Sequence, residues 1–204
     1  MRVICFSAGR LFTNHYIVFG NEGSVLIDCG GPPSVILKKL AEAGAELKAI
    51  LLTHAHADHI AGLDGVTEKL SVPVYLHPLD EPLLRDASKN QSGLIYRDPV
   101  FSRVKFSPVS DGQILEIADL SFRVIHTPGH TPGSVCYLCG SAIFTGDTLF
   151  RESIGGDFPP YGDLQTEIRS IREGLFCLEN DYDCFPGHGE RTTLDHERKN
   201  NPFL

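Results

Sequence analysis

The sequence lacks any long apolar segment. No run of apolar residues among its 204 positions approaches the roughly 20 that a membrane-spanning helix requires. The apolar start of the chain, residues 1–12, is interrupted by Ser7, Gly9 and Arg10, which favours a first β-strand over a secretory signal. We therefore expect a cytoplasmic protein that does not act on a membrane.

Basic residues are also scarce. The chain has 18 lysines and arginines against 26 aspartates and glutamates, which gives a formal net charge of -8. An acidic protein binds phosphate backbones poorly, so nucleic acid is not expected as a partner. A small anionic substrate remains compatible with this charge, because a bound metal ion can dominate the local field.

Cysteine is sparse, with six residues in the whole chain. Without a secretory signal these thiols are expected to be free. Cys136 and Cys139 have CxxC spacing, but they lie in an apolar, strand-like run in which residues three apart face opposite ways. We interpret both as buried, inert thiols and not as a redox or zinc pair.

The remaining composition is that of one folded domain. Apolar residues make up 42% of the chain and charged residues 22%, which excludes extended disorder. No repeat or proline-rich linker divides the sequence, so residues 1–204 are expected to form a single domain. The residue pattern leaves the oligomeric state open.

Clusters of predicted strands alternate with predicted helices. Apolar periodicity predicts helices over 32–43, 63–70, 79–88 and 164–178, the last capped by Asp163, and an irregular tail over 200–204. It predicts strands over 3–7, 15–19, 24–28, 49–53, 72–76, 114–117, 120–126, 134–138, 142–145 and 182–185. We therefore expect an α/β fold in which two mixed β-sheets pack face to face with helices outside, an αββα sandwich.

The strongest chemical signal is the heptapeptide THAHADH, residues 53–59. It places His54, His56, Asp58 and His59 in the tight turn that follows a buried strand. His54 and His56 can share one metal ion, and Asp58 and His59 can reach a second. Imidazole and carboxylate groups are ligands for zinc, iron and manganese, so this density predicts a metal site.

Three further residues have the same character. His130 lies in TPGHTPG, Asp147 in TGDT and His188 in PGHG, each directly after a predicted strand and beside a glycine. Any one of them alone is an ordinary turn residue. Together with the heptapeptide they complete a set of five histidines and two aspartates. The other four histidines, His15, His77, His126 and His196, have no neighbouring ligand and are interpreted as packing residues.

In this order, THAHADH, TPGHTPGS, TGDTLF and PGHGERTT resemble the metallo-β-lactamase superfamily, and within it the short glyoxalase II-like hydrolases. The resemblance covers essentially the whole chain and implies an αββα fold with two metal ions. By motif position, His54, His56 and His130 would bind the first ion, and Asp58, His59 and His188 the second. Asp147 would bridge them.

The same resemblance implies a hydrolase. A metal-bound hydroxide would attack the carbonyl of a thioester such as S-lactoylglutathione. Zinc is the first expectation for the two divalent ions, and iron or manganese also suits these ligands. Asp58 has a second expected role as a catalytic residue, because its carboxylate can orient the nucleophile through a hydrogen bond.

Two features bear on the substrate. Full-length glyoxalase II has a helical C-terminal domain that helps to bind glutathione, and this domain is expected to be absent because only residues 189–204 follow His188. Family members often carry a basic residue after the glycine that follows the GDTLF motif, where this sequence has Gly156. Arg151 is then the candidate to bind an anionic group of the substrate.

Other functions remain open. A persulfide dioxygenase would hold a single iron and consume oxygen, and a lactonase would hydrolyse acylated homoserine lactones. The missing secretory signal disfavours a β-lactamase, and the acidic charge disfavours a nuclease. A non-catalytic metal-binding module is the least favoured reading, because every expected ligand is present.

Overall fold

Two six-stranded sheets form the centre of the fold. The computed structural model describes all residues 1–204. The first sheet contains, in chain order across the sheet, β1 (Arg2–Ala8), β2 (Thr13–Phe19), β3 (Ser24–Ile27), β4 (Leu47–Leu51), β5 (Val74–Leu76) and β6 (Ser107–Pro108). The rest of the chain supplies β7 (Ile114–Ile117), β8 (Leu120–His126), β9 (Val135–Cys139), β10 (Ala142–Gly146), β11 (Leu149–Phe150), β12 (Ser153–Ile154), β13 (Asp183–Pro186) and β14 (Thr192–Thr193).

Both large sheets are mixed. β1, β2 and β3 are antiparallel neighbours, whereas β3, β4, β5 and β6 run parallel. The second sheet has the order β14-β13-β10-β9-β8-β7, in which only β10 and β13 are parallel. β11 and β12 pair with each other as a separate hairpin.

Seven short helices lie outside or between the sheets. They are α1 (Pro33–Glu42), α2 (Ala57–Ile60), α3 (Leu63–Leu70), α4 (Glu81–Arg85), α5 (Ser92–Ile95), α6 (Leu164–Ser170) and α7 (Leu194–Asn200). A 3₁₀ turn, Pro78–Asp80, precedes α4, and a π-helical turn, Ile171–Leu175, continues α6. None of these helices has the length and apolar character needed to cross a membrane.

Three apolar clusters fill the spaces between the layers. A central cluster of 16 buried residues lies between the sheets, one of 15 packs α1, α3 and α4 on the first sheet, and one of 9 packs α7 and the π-helical turn on the second. Alternate residues of one strand enter different clusters: Tyr16 points to the centre and Ile17 to the helices. The predicted α/β fold with two mixed sheets and external helices is therefore confirmed.

The CxxC pair follows the same alternation. Cys136 belongs to the cluster under the helices of the second sheet, and Cys139 belongs to the central cluster. Both are buried, and all six cysteines are free. Residues three apart on β9 thus face opposite sides, as predicted, and cannot bind one zinc ion together.

Element ends account for most differences from the predicted pattern. The predicted helix over 164–178 is capped by Asp163 as expected, but its α-helical part ends at Ser170. The predicted helix over 79–88 ends at Arg85, because Asp86 has an extended backbone. The tail predicted as irregular begins inside α7, which reaches Asn200. The elements missed altogether are too short for a periodic apolar pattern: α2, α5, α7, β6, β11, β12 and β14.

Two tyrosines join the sheets across the central layer. Tyr16 Oη on β2 donates to Pro186 O on β13 at 2.5 Å. Tyr137 Oη on β9 donates to Leu52 O, one residue past β4, at 2.9 Å. Each hydroxyl therefore satisfies a buried carbonyl at the end of a strand in the opposite sheet, and the two bonds run in opposite directions.

These bonds predict a measurable cost for removing either hydroxyl. We expect Tyr137→Phe to lower the free energy of unfolding by about 1–2 kcal/mol, because Leu52 O loses its hydroxyl donor while the apolar contacts remain. Tyr16→Phe should cost less, about 0.5–1 kcal/mol, because Pro186 O keeps a hydrogen bond from Asn14 Nδ2 at 3.1 Å. Denaturant unfolding measures this change. Tyr75→Phe is the matched control, since its hydroxyl has no partner in the protein, and it should shift stability by less than about 0.5 kcal/mol. An unchanged stability of both test variants would contradict the cross-sheet role.

Candidate metal centre

The carboxyl ends of several strands meet at one edge of the sandwich. β8, β10 and β13 run in the same direction in the second sheet, so the segments that follow them lie side by side. These segments carry His130, Asp147 and His188. The turn 53–59 follows β4 of the opposite sheet and is joined to this edge by the bond from Val135 N to Thr53 O at 2.9 Å.

All seven predicted ligands come together at this edge. Their ligand atoms form three groups in which each atom lies within 4.8 Å of the others: His54, His56 and His130; His54, His59 and Asp147; and Asp58, His59 and His188. The first and third groups coincide with the two sets expected for the two metal ions. Asp147 lies between them, with Oδ1 3.3 Å from His59 Nε2 and Oδ2 3.6 Å from His130 Nε2.

The outer nitrogens of four imidazole rings are already engaged. His59 Nδ1 lies 2.8 Å from Asp28 Oδ2, His130 Nδ1 2.8 Å from Gly156 O, and His188 Nδ1 3.2 Å from Leu11 O. His54 Nδ1 lies 3.1 Å from Thr53 Oγ1. Such contacts fix the orientation of a ring and leave Nε2 to bind a metal ion.

Several inward atoms lack a hydrogen bond within the protein. His54 Nε2, His59 Nε2 and Asp147 Oδ1 are buried and form none, although the last two face each other at 3.3 Å as an ion pair. Buried polar atoms are rarely left unpaired in folded proteins, because the loss of hydration is costly. Their convergence, and the nitrogen and carboxylate donors they present, fit a divalent transition-metal ion.

The electrostatics favour ligand forms that bind cations. Burial lowers the pKa of His54, and lowers that of His56 to about 3, so both rings are neutral. Burial acts to raise the pKa of Asp147, but His59 and His188 hold it well below its usual range. Metal ligands must be deprotonated, and these groups meet that condition at neutral pH.

His188 and His59 are the exceptions, and the carboxylates explain both. Burial acts to lower the pKa of His188, but contacts with Asp147 and Asp58 raise it to about 9. His59 shows the same effect. Burial acts to lower its pKa, but Asp147, Asp28 and Asp58 together raise it well above the ordinary value. A proton on this ring balances the negative charge around it. A bound cation would balance the same charge, and binding would then release that proton.

A glycine beside His188 allows this close packing. A Cβ on Gly187 would lie 2.1 Å from Asp147 Oδ1 and 2.8 Å from the His59 ring. Any side chain here would therefore push the two ligand-bearing segments apart. The glycine that precedes His188 in the sequence serves this close approach.

Two buried aspartates that the sequence analysis missed hold the ligand segments. Asp28 follows β3 and contacts Thr53 through both oxygens as well as His59. Asp80 accepts hydrogen bonds from Ala55 N, Thr131 Oγ1 and Gly133 N. Asp80 thereby joins the turn that carries His54 and His56 to the loop that carries His130. The available signal was an aspartate shortly after a strand that ends at this edge.

The remaining histidines lie outside the metal cluster. His15 Nε2 accepts hydrogen bonds from Gly30 N and Gly31 N, and the rings of His77 and His126 stack with centroids 4.1 Å apart. His196 pairs with Glu152 at 2.9 Å. The structure therefore gives all four a packing or pairing role, in agreement with the sequence analysis.

A cavity of about 280 Å³ opens above the cluster. His56, Asp58, His130, Asp147 and His188 form its polar floor. Its walls are mostly apolar and are supplied by Leu11, Leu94, Ile95 and Phe158 with Gln91. Arg151 does not line this cavity: it is half-exposed and pairs with Glu190 at 3.0 Å.

The family model described as "Metallo-beta-lactamase superfamily" matches residues 8–188 of this chain. The chain belongs to the metallo-β-lactamase superfamily. Its two mixed sheets with external helices are the metallo-β-lactamase fold, and the chain is a metallo-hydrolase of this superfamily with a His/Asp cluster that could hold metal ions.

Two superfamily relatives match nearly the full chain. "Probable metallo-hydrolase YqgX" of Bacillus subtilis is 36% identical over 198 residues, which is 96% of this chain and 94% of the relative. "Hydroxyacylglutathione hydrolase GloC" of Haemophilus influenzae is 32% identical over 188 residues, 90% of this chain and 88% of the relative.

Two solved superfamily structures are similar throughout. The B3 metallo-β-lactamase BLEG-1 has a TM-score of 0.93 and 34% identity, and the match covers 100% of this chain and 99% of BLEG-1. TTHA1623 in a di-iron-bound form has a TM-score of 0.87 and 38% identity, covering 98% of this chain and 100% of TTHA1623. These structures have the same fold over the whole of the chain.

The ligand assignment is tested by removing one imidazole. We expect His56→Ala to lose metal and hydrolytic activity together, because the trio of His54, His56 and His130 then has only two ligands. Elemental analysis of the purified protein measures the metal content. His196→Ala, which removes a histidine on α7 outside the cluster, should keep the wild-type content. A His56→Ala protein with full metal and activity would refute the assignment.

The connection through Asp80 is tested separately. We expect Asp80→Ala to weaken metal binding at the trio of His54, His56 and His130 by about 10- to 100-fold, because two ligand segments lose their common acceptor. Competition with a fluorescent chelator measures this affinity. Asp80→Asn retains one acceptor and should lose less, and the exposed Asp86→Ala should lose nothing. Equal affinities in all four proteins would show that Asp80 does not position the ligands.

Proposed function

We propose that the protein is a dinuclear metal-dependent hydrolase of the glyoxalase II type that cleaves thioesters such as S-lactoylglutathione. One observation carries this proposal: two ligand trios lie side by side with Asp147 between them, and two members of each trio line the floor of a cavity that is open to a small substrate. The 32% identity to a relative named hydroxyacylglutathione hydrolase supports the thioester class.

The chain's own residues would divide the work at this floor. When bound, two divalent ions would generate a nucleophile from water near neutral pH and polarise the carbonyl of the substrate. Asp58 Oδ2 accepts a hydrogen bond from Thr13 Oγ1 and lies 3.1 Å from His188 Nε2. Its Oδ1 accepts no hydrogen bond from the protein, so this oxygen is placed to hold a proton of the attacking water.

The cavity walls would position the acyl group and limit access of bulk water. Leu11, Leu94, Ile95 and Phe158 offer apolar contact on several sides of the floor, although Leu94 itself is 80% exposed. An apolar wall around a charged floor strengthens the electrostatic interactions with a developing oxyanion. A short acyl thioester matches this combination of apolar walls and polar floor.

Zinc is the metal that we propose first, with iron as the alternative. Imidazole and carboxylate donors bind both ions, and the similar structure TTHA1623 is described in a di-iron-bound form.

Arg151 stays a proposed contact for an anionic substrate group at the rim, because the ring of its neighbour Phe150 lies 6.2 Å from that of His188. The guanidinium would exchange Glu190 for the substrate.

β-Lactam hydrolysis is the second candidate function. The match to the B3 metallo-β-lactamase BLEG-1 over the entire chain favours it, and a β-lactam carbonyl would require the same floor. The open cavity accommodates either class of substrate. The two functions are separated by the rate constants for the two substrate classes.

A substrate panel with metal counting tests the proposed function. The purified protein is assayed with S-lactoylglutathione and with a chromogenic cephalosporin, and metal is counted on the same sample. We expect two metal ions per chain and a kcat/KM for the thioester at least about 100-fold above that for the β-lactam. A preference for the β-lactam would establish the second candidate. A single iron with oxygen consumption would overturn both in favour of a dioxygenase.

A further inference from the structure

A second cavity of about 440 Å³ lies directly beside the metal cavity. It contains none of the seven metal ligands. Two chain segments line both cavities: the turn between β1 and β2, and the segment that begins with α5. Within the first segment Leu11 faces the metal cavity and Arg10 the second cavity. Within the other, Ile95 faces the metal cavity and Tyr96 the second.

The partition between the two cavities is therefore only one residue thick. Arg10 Nη1 donates to Ile95 O at 3.4 Å and connects the two segments across it. Both cavities are open to solvent, so a ligand longer than a short acyl group would extend from the metal floor over the rim of this partition. The second cavity is thus placed to receive the distal part of a substrate whose carbonyl lies at the metal centre.

The charges in the second cavity favour an anion. The guanidinium groups of Arg10 and Arg97 both line it, and neither forms an ion pair within the protein. Asp98 is the one acidic residue in the lining, which leaves one net positive charge. The whole chain has a formal net charge of -8, so a positively charged pocket next to the metal centre differs in sign from the protein's overall charge.

Tyr96 adds a hydrogen-bond donor without an acceptor. Its Oη is buried and has no partner in the protein, and the Arg10 guanidinium lies 5.9 Å from the centre of its ring. Burial raises the pKa of Tyr96 to about 12, so the hydroxyl keeps its proton at neutral pH. The hydroxyl is covered in this structure, so a ligand oxygen in the second cavity would supply the missing acceptor once the ring turns toward it.

We propose that Arg10, Tyr96 and Arg97 form an anion subsite that binds the negatively charged tail of a thioester while its acyl group lies on the metal floor. This subsite rests on the proposed thioester hydrolase and specifies its substrate class. The carboxylates of a peptide thiol and the phosphates of a nucleotide thiol share the chemistry that two guanidinium groups and a hydroxyl recognise. Arg151, which is paired with Glu190, lies outside this subsite.

Kinetics with charged and neutral thioesters test the subsite. The proteins are wild type, the double variant Arg10→Ala/Arg97→Ala, Tyr96→Phe, and Arg123→Ala as an exposed arginine on β8 that lines neither cavity. For S-lactoylglutathione or acetyl-coenzyme A we expect the double variant to raise KM about tenfold or more with kcat nearly unchanged. For the neutral S-acetyl-N-acetylcysteamine no variant should change KM. An equal change of KM for charged and neutral thioesters would overturn the subsite.

Calorimetry with non-hydrolysable probes separates this proposal from the proposed function. S-methylglutathione carries carboxylates and desulfo-coenzyme A carries phosphates, and wild type should bind one of them at least about tenfold more tightly than the double variant does. The probe that binds identifies the source of the anion. If the wild-type protein binds a probe and the double variant does not, but the wild type hydrolyses no thioester, the proposed reaction is refuted and the subsite stands. Thioester hydrolysis with probe binding that is absent, or unchanged in the double variant, would refute the subsite alone.

Discussion

Seven ionisable side chains in one buried cluster are the constraint on which the rest of this structure depends. Burial removes their hydration, and it lowers the pKa of His54 and His56 while Asp147 stays ionised through its histidine neighbours. Groups of like and of opposite charge then lie close together, and three inward atoms form no hydrogen bond. Such a cluster keeps its arrangement only if the surrounding structure fixes each side chain. Otherwise the side chains would move apart or find other hydrogen-bond partners.

The sandwich supplies that rigidity from both sheets. The ligand segments follow strands whose carboxyl ends lie at one edge, so the sheets fix their starting points. Tyr16 and Tyr137 connect the sheets through the central layer, and Asp28 and Asp80 connect the segments directly. Four of the five imidazoles are held at Nδ1, which leaves Nε2 free to face a metal ion. The ligand geometry at the cavity floor therefore depends on the packing of the whole sheet edge and not on any single loop.

The sequence was sufficient to predict the convergence of the seven side chains and the architecture, because both leave dense local signals. Histidine is rare and three of nine fall within residues 54–59, while apolar alternation marks the strands themselves. Asp28 and Asp80 could not be predicted, since a lone aspartate near a strand end resembles any turn former. The role of Arg151 depends on Glu190, 39 residues away, and such tertiary pairs leave no local pattern. For the same reason the convergence of Arg10 with Arg97 was invisible before the fold was known.

The thin partition between the two cavities has a consequence for how this protein can change over time. The residues that would select the substrate tail lie on the β1–β2 turn and on residues 96–97, and neither segment carries a metal ligand. Side-chain substitutions at Arg10 and at residues 96–97 leave the floor in place, because the turn holds His188 through the backbone carbonyl of Leu11 and not through a side chain. One catalytic framework could therefore serve different substrates in the course of evolution, because substrate selectivity can change while the reactive groups stay the same.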